Sequence, residues 1–354
     1  MTDIIIIGGG IAGISLAARL SDHAHVTVLE TENALGYHAS GRSAALYEPN
    51  YGAPSVNALS RMGERYFHDG GYLSDRGFLL VAQSGEDRAF EKDLNDLNTT
   101  EISVEDALQI VPILKPSITR AAYHSGAYDI DTDRLIQDFA KQTRSNGGEV
   151  VTGAAVTRSD FADGVWTVHT SDRVLQAPTL VNAAGAWADE IAKLSGISPI
   201  GLTPYRRSFA RVPAPGGHDI SKWPIFFGVG ETWYAKPDAG KLLISPADED
   251  AATPHDAFAD DMVIAMGIDR YQQHVTEEVT RVETTWAGLR TFAPDRTLVL
   301  GRDAGNPSFV WCAGQGGYGF QTAPGASQFL ADVMLGRVSD VDAELVAALS
   351  PHRF

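Results

Sequence analysis

Residues 3–20 read DIIIIGGGIAGISLAARL: four consecutive isoleucines run into Gly8, Gly10 and Gly13, and an amphipathic helix follows. β-Branched residues in an unbroken apolar run favour a buried strand. The Gly-x-Gly-x-x-Gly spacing then supplies what a pyrophosphate needs of a strand-to-helix turn. The first glycine turns sharply, the second lets the backbone approach the diphosphate, the third lets helix and strand pack closely, and the helix N-terminus faces the anion. A second apolar strand, HVTVLE, ends at Glu30, 17 residues beyond Gly13, where an acid can hold a pair of ribose hydroxyls. Strand, turn, helix and acid in this order predict a bound adenine dinucleotide. The same letters also allow a Gly-rich bend followed by a surface glutamate.

The 354 residues leave room for two domains with substantial cores, and 44% hydrophobic with 21% charged residues is ordinary for a globular enzyme. A net charge of −17 argues against nucleic acid or an anionic membrane surface as the main partner. The single cysteine, Cys312, allows neither an internal disulfide nor a Cys-based metal site and is expected in a buried strand. Asp3 stands where a signal peptide carries basic residues, and glycines interrupt an apolar run too short to span a bilayer. No transmembrane segment and a cytoplasmic location are therefore expected, with a peripheral membrane contact left open. There is no HExxH, and His23 and His25 lie where the first helix hands over to the second strand, so no metal site is expected and both are read as surface residues. Ser15 sits inside the first helix and no GxSxG elbow occurs, which removes triad hydrolysis. His38 is read as a loop hydrogen-bonder.

The pattern along the chain suggests two interleaved units: 1–50, 131–200 and 291–354 in a dinucleotide-binding domain, 51–130 and 201–290 in a substrate domain. A helix is expected around Ser55–His68 and a strand in GFLLVAQ from Gly77. In DTDRLIQDFAKQTRSNGG, Asp131 and Asp133 sit at helix N-cap positions and Gly147 and Gly148 end the element. EVVTGAAV, GVWTVHT and TLVNAAGAW follow as strands, the last turning through Gly185 into a helix. RSFARV, TWYAKP and KLLISP alternate apolar and polar residues, which predicts a largely antiparallel sheet with one face open to a ligand. TLVLG, FVWCAGQGGYG and a final helix close the first unit. The fold class is thus α/β: a Rossmann-type domain interleaved with an α+β domain, the active site between them.

GGGIAG, Glu30, GYHASGRSAALY, LVNAAGAWAD, YRRS, WYAKPDAG, TWAGLR and AGQGGYGFQT together resemble the D-amino-acid oxidase/dehydrogenase family of FAD flavoproteins, nearly end to end and in the same order. Within it the likeness is nearest to bacterial D-arginine dehydrogenases. The resemblance implies noncovalent FAD. It places Gly8, Gly10, Ala12 and Gly13 at the pyrophosphate and Glu30 at the adenosine ribose. Ser40, Arg42, Ser43 and Ala44 would run along the diphosphate and flavin, with Arg42 offering a bidentate fork. Val156 would contact adenine from its backbone, or be plain strand core, while Ala184 and Gly185 pack on the cofactor. Gln315, Gly316, Gly317, Tyr318 and Gly319 would form a turn opening a helix whose N-terminal partial charge favours negative charge on the flavin.

The resemblance also implies that Arg207 and Arg290 bind a substrate carboxylate, that Tyr51 and Tyr234 close over it, and that Gly317 and Gln321 border it. Strand alternation puts the neighbouring Arg206 on the opposite face, in solvent or an ion pair. D-Arginine dehydrogenases supply an acid for the guanidinium where this chain reads Arg76-Gly77-Phe78, and their histidine and threonine become Leu46 and Glu48 here. Either Glu48 rebuilds a cationic pocket, or it lies on the surface and Leu46 and Phe78 line an apolar one. The implied activity is oxidative deamination of a D-amino acid by hydride transfer from Cα to flavin N5, giving an imino acid and then a 2-oxo acid and ammonia. A quinone or electron carrier is favoured over dioxygen as acceptor. No obligatory catalytic base stands out. Oxidation of a secondary amine such as sarcosine, and a non-catalytic flavin-binding or electron-carrying role, are the alternatives.

Overall fold

The computed structural model describes residues 2–337 and 343–354. Met1 and residues 338–342, inside the first and last segments of the expected dinucleotide-binding unit, lie outside the described residues.

The isoleucine run forms the strand Ile4–Ile7, buried on both faces. It is a central strand of a six-stranded sheet ordered Val299–Arg302, Phe309–Ala313, Thr179–Asn182, Ile4–Ile7, Val26–Leu29, Glu149–Val151. All neighbours pair in parallel except the first two. An unbroken apolar run fits burial on both faces, and here helices cover one face while Trp166, Val168 and Ala177 of a three-stranded sheet, with Ala188 and Ala192, cover the other. The helices Ile11–Leu20, Thr132–Ser145 and Gly319–Met334 share one apolar core on this sheet. Asp131 caps the second of them by accepting a hydrogen bond from Arg134 N at 3.1 Å. In EVVTGAAV only Glu149–Val151 is strand, and Gly153, at φ +67°, turns the remainder out of the sheet. A three-stranded antiparallel sheet, Arg158–Ala162, Val165–His169 and Val174–Ala177, intervenes before the chain returns at Thr179.

The second layer is a nine-stranded sheet whose longest strands, Thr203–Pro213 and Thr284–Phe292, pair antiparallel over nine registered positions. Lys241–Ser245, Tyr234–Asp238, Ile225–Gly228, Phe78–Gln83, Ile118–His124 and Thr100–Ile102 extend it, and the short Asp250–Ala251 pairs with Thr203–Pro213. The one parallel pairing joins Phe78–Gln83 to Ile225–Gly228, so the sheet is largely antiparallel, as its alternating pattern implies. The helix Pro54–Gly70, placed by sequence in the substrate unit, buries Val56, Leu59 and Phe67 in the same core as Ile11 and Phe320 of the first layer. A cut at residue 51 therefore passes through one hydrophobic cluster. No helix among the described residues is long and apolar enough to cross a membrane.

Candidate cofactor and substrate site

The first turn is built by contact as much as by flexibility. Gly8 has φ +109°, and a Cβ on Gly13 would stand 2.0 Å from the Gly8 carbonyl oxygen, so the helix lies on the turn as only a glycine at position 13 permits. Glu30 sits at the end of its strand with its carboxylate fixed by two backbone amides: Gly9 N donates to Oε2 at 2.7 Å and Glu32 N to Oε1 at 2.8 Å. Ser40 reaches back to the helix start, its Oγ accepting from Ile11 N at 3.0 Å.

Gly8, Glu30, Glu32 and Ser40 border a cavity of about 520 Å³, within the range of cofactor clefts, while Gly13 packs behind the turn and lines no part of it. Gly8, Glu30, Val156, Ala184 and Gly185 line it, as does His38, which bonds Glu32 at 2.9 Å. Gly10, Ser40, Arg42, Gly185 and Gly288 are shared with an adjoining chamber. That chamber is bordered by Ala12, Ser43, Arg207, Arg290, Gln315, Gly316, Gly317 and Gly319. Two helix N-termini open onto it, at Ile11 and at Gly319, and neither cap residue supplies a side-chain hydrogen bond. Ser40 satisfies Ile11 N, and the two helix ends together bring backbone N–H groups and positive partial charge to one place.

Arg207 and Arg290 meet there for a reason of register. Arg207 stands opposite Gly288 and Tyr205 opposite Arg290, which makes the two arginines diagonal neighbours on one face of an antiparallel pair. Arg206 takes the other face and pairs with Asp248 at 3.1 Å and Asp250 at 2.8 Å. Gly317 gives Arg290 its room, since a Cβ there would stand 3.0 Å from the Arg290 Nη1. The Arg207 Nε donates to the Asp248 carbonyl oxygen at 2.9 Å, and the Asp248 carboxylate is held by Ser208 N at 2.6 Å and Ser208 Oγ at 2.8 Å.

The Tyr234 ring lies 5.9 Å from the Arg207 guanidinium, and its hydroxyl is buried with no hydrogen-bond partner among the described residues. Tyr51 OH donates to Glu231 Oε2 at 2.9 Å, and Gln321 Nε2 donates to the Tyr51 carbonyl oxygen at 2.9 Å, so Gln321 positions Tyr51. Glu231, which sequence reasoning missed, also accepts from Arg207 Nη1 through Oε1 at 2.9 Å. Burial pushes the Glu231 carboxyl up, but Arg207 and Arg290 outweigh it and hold the group below its ordinary value. Burial likewise pulls Arg207 down, and Tyr234, Glu231 and Tyr51 more than offset it.

Ala44, Tyr318, Glu48 and Leu46, also expected at the site, line neither chamber, and Arg42 lines both with its terminal nitrogens engaged elsewhere. The Ala44 carbonyl oxygen accepts from Lys236 Nζ at 2.9 Å, and Lys236 also bonds Ala45 and pairs with Asp129 at 2.8 Å. Tyr318 packs its ring on Tyr51 at 5.4 Å and on Phe292 at 6.2 Å. Arg42 differs from the expected phosphate fork: Nη1 donates to the carbonyl oxygens of Ala257 at 2.7 Å and Ala287 at 3.0 Å, and Nη2 pairs with Asp256. Its terminal nitrogens thus tether the loop to the second layer. Glu48 is not a surface residue. It is 2% exposed, accepts from Asn50 N through Oε1 at 2.9 Å, and has Oε2 at 3.4 Å from His124 Nε2. Phe78 stacks on that histidine at 5.3 Å, and Leu46, half-buried, is in register with Asp129. Cys312 is buried at the end of its strand, and burial pushes its thiol up to about 12. His23 and His25 are exposed.

The sequence profile of the FAD-dependent oxidoreductases, the DAO family, matches residues 3–333. The chain belongs to this family. A glycine oxidase from Bacillus licheniformis is 22% identical over 99% of this chain and 97% of its own length. Mitochondrial dimethylglycine dehydrogenase from Rattus norvegicus is 24% identical over 99% of this chain and 45% of that protein. Among solved structures, L-proline dehydrogenase from P. horikoshii superposes with a TM-score of 0.84 at 20% identity, covering 100% of this chain and 97% of that one. The fold is thus that of the DAO flavoenzymes, and the cofactor is FAD. The cleft fits it: Glu30 stands at one end, the Gly8–Gly13 turn in the middle, and the uncapped helix at Gly319 toward the arginines.

Proposed function

We propose that this FAD-dependent oxidoreductase oxidises the Cα–N bond of an α-amino acid, by preference a D-amino acid. The observation that carries this reading is the pair Arg207 and Arg290 on one strand face, bordering the same chamber as the helix N-termini at Ile11 and Gly319. A guanidinium presents parallel donors to a carboxylate, and each charge-assisted bond contributes roughly 1.5–3 kcal/mol when shielded from water. Bound FAD supplies the acceptor for the hydride that leaves Cα. Arg290 and Arg207 fix the carboxylate, the Tyr234 hydroxyl, unpartnered among the described residues, has its donor available to it, and Tyr51 covers the clamp. The amine must be neutral for its lone pair to assist, and the imino acid released is hydrolysed to a 2-oxo acid and ammonia. A quinone or electron carrier is the proposed acceptor. Full-length similarity to glycine oxidase and to part of dimethylglycine dehydrogenase supports a second reading, oxidation of an N-alkyl glycine such as sarcosine on the same clamp.

Anaerobic titration of the holoenzyme with D-, L- and N-methyl amino acids tests both, because only a substrate bleaches the flavin. Arg207→Ala and Arg290→Ala should each lower kcat/KM at least tenfold with FAD retained, since truncating one partner of a buried charged pair costs about 2–5 kcal/mol. Near-wild-type kinetics in both variants removes the clamp. No bleaching by any amine removes the enzymatic reading and leaves a flavin-binding or electron-carrying protein.

A further inference from the structure

The turn Val229–Glu231 joins the strands Ile225–Gly228 and Tyr234–Asp238 and holds two consecutive left-handed residues, Gly230 at φ +65° and Glu231 at φ +51°. Glutamate rarely adopts that conformation. The turn is held from behind, where Gly230 N donates to Asp93 Oδ2 at 2.6 Å. From this position Glu231, its side chain 37% exposed, reaches inward to a guanidinium only 7% exposed, and its two oxygens take Arg207 Nη1 and Tyr51 OH. Those are the donors that the clamp reading assigns to a substrate carboxylate. The Arg290 guanidinium forms no hydrogen bond or ion pair among the described residues.

We propose that Glu231 is an internal carboxylate ligand of the substrate clamp, a specificity-determining residue that an incoming carboxylate must displace from Arg207 and Tyr51. This rests on the carboxylate-clamp reading above. The two arginines and Glu231 carry a net charge of +1, which one carboxylate neutralises. Arg290 can receive it without breaking any bond. The exchange at Arg207 then replaces one carboxylate by another, leaving no buried guanidinium unpaired at the end, and Glu231 returns to the solvent it already touches. A plain amine brings nothing to exchange, so the clamp discriminates against it.

The test is isothermal titration of the FAD-loaded enzyme with propionate, a carboxylate without an amine, in wild type, Glu231→Gln and Glu231→Gly. Glutamine keeps the side-chain shape without the charge, and glycine suits the positive φ, so strain and charge separate. The expected result is propionate binding at least tenfold tighter in both variants and a lower KM for the amino acid substrate. The gain should vanish when Arg207→Ala is added to Glu231→Gln. A structural defect would weaken binding instead. Propionate that binds wild type but is unchanged or weaker in both variants overturns the proposal and leaves the clamp standing. Propionate that binds none of the three overturns the clamp, and this proposal with it.

Discussion

Glu48→Gln separates the cost of burying a carboxylate from everything else that titrates. Burial pushes the Glu48 carboxyl from its ordinary 4.5 up to about 7, against the opposing pull of its Asn50 hydrogen bonds and Arg61. The unfolded chain releases this proton near 4.5 and the folded chain near 7, so between those values the folded state holds more protons. Stability from this group is therefore fully present below about pH 4.5 and is lost as pH rises through about 7. A shift of this size corresponds to about 3 kcal/mol at about 1.4 kcal/mol per unit. Glutamine has no proton to lose and keeps the oxygen that accepts from Asn50 N. Urea unfolding of both proteins at pH 5 and pH 8 gives a difference of differences in which other groups largely cancel. His124 faces Glu48 and is pulled below its ordinary value by burial, so it adds its own slope to both proteins. The glutamine variant should gain about 2.5 kcal/mol on wild type between the two pH values, since part of the effect is already lost at pH 5. A gap that stays constant within about 0.5 kcal/mol would refute the reasoning. If Glu48 also meets a cationic substrate side chain, preference for basic over apolar D-amino acids should rise through pH 7 and fall roughly tenfold in the variant, about 1.4 kcal/mol.

FAD should be released by acid or heat, because Cys312, the one thiol, is buried and raised to about 12; yellow colour that stays with the precipitate contradicts this. kcat/KM should rise with pH to a plateau, since only the free amine can lose hydride. Burial holds the Tyr51 phenol well above its ordinary value, so the rising limb should move with the amine pKa of each substrate tested. A profile flat from about pH 6 to 10 would show that amine deprotonation is not limiting.

What could be read from the letters alone is what local physics specifies. Four isoleucines before Gly8 and Gly13 leave few alternatives to a buried parallel strand and a tight turn, and period-two alternation separates Arg207 from Arg206. The β-branched letters of EVVTGAAV mislead because Gly153 breaks the strand where the sheet ends. Contacts between residues distant in sequence leave no such trace. Arg42 meets Asp256, Ala257 and Ala287 more than two hundred residues away, and Lys236 meets Ala44 from a strand of the other layer. Glu231 had one available signal, an acid after Gly-Val-Gly in a loop bounded by strands, and nothing in that signal points to Arg207.

The cofactor loop is riveted at two neighbouring points, by Arg42 to Ala257 and Ala287 and by Lys236 to Ala44 and Ala45. Recombination between relatives therefore cannot treat the antiparallel sheet as an interchangeable cassette. A chimera joined on either side of the loop inherits rivets without their holes, with Lys236 left buried among carbonyl groups whose positions another parent has set. Grafts that carry residues 39–45 together with 234–257 and 284–290 keep those partners in one piece. Swaps of the exposed helix Asp87–Asp96, apart from the Asp93 anchor of the Glu231 turn, leave these joints untouched.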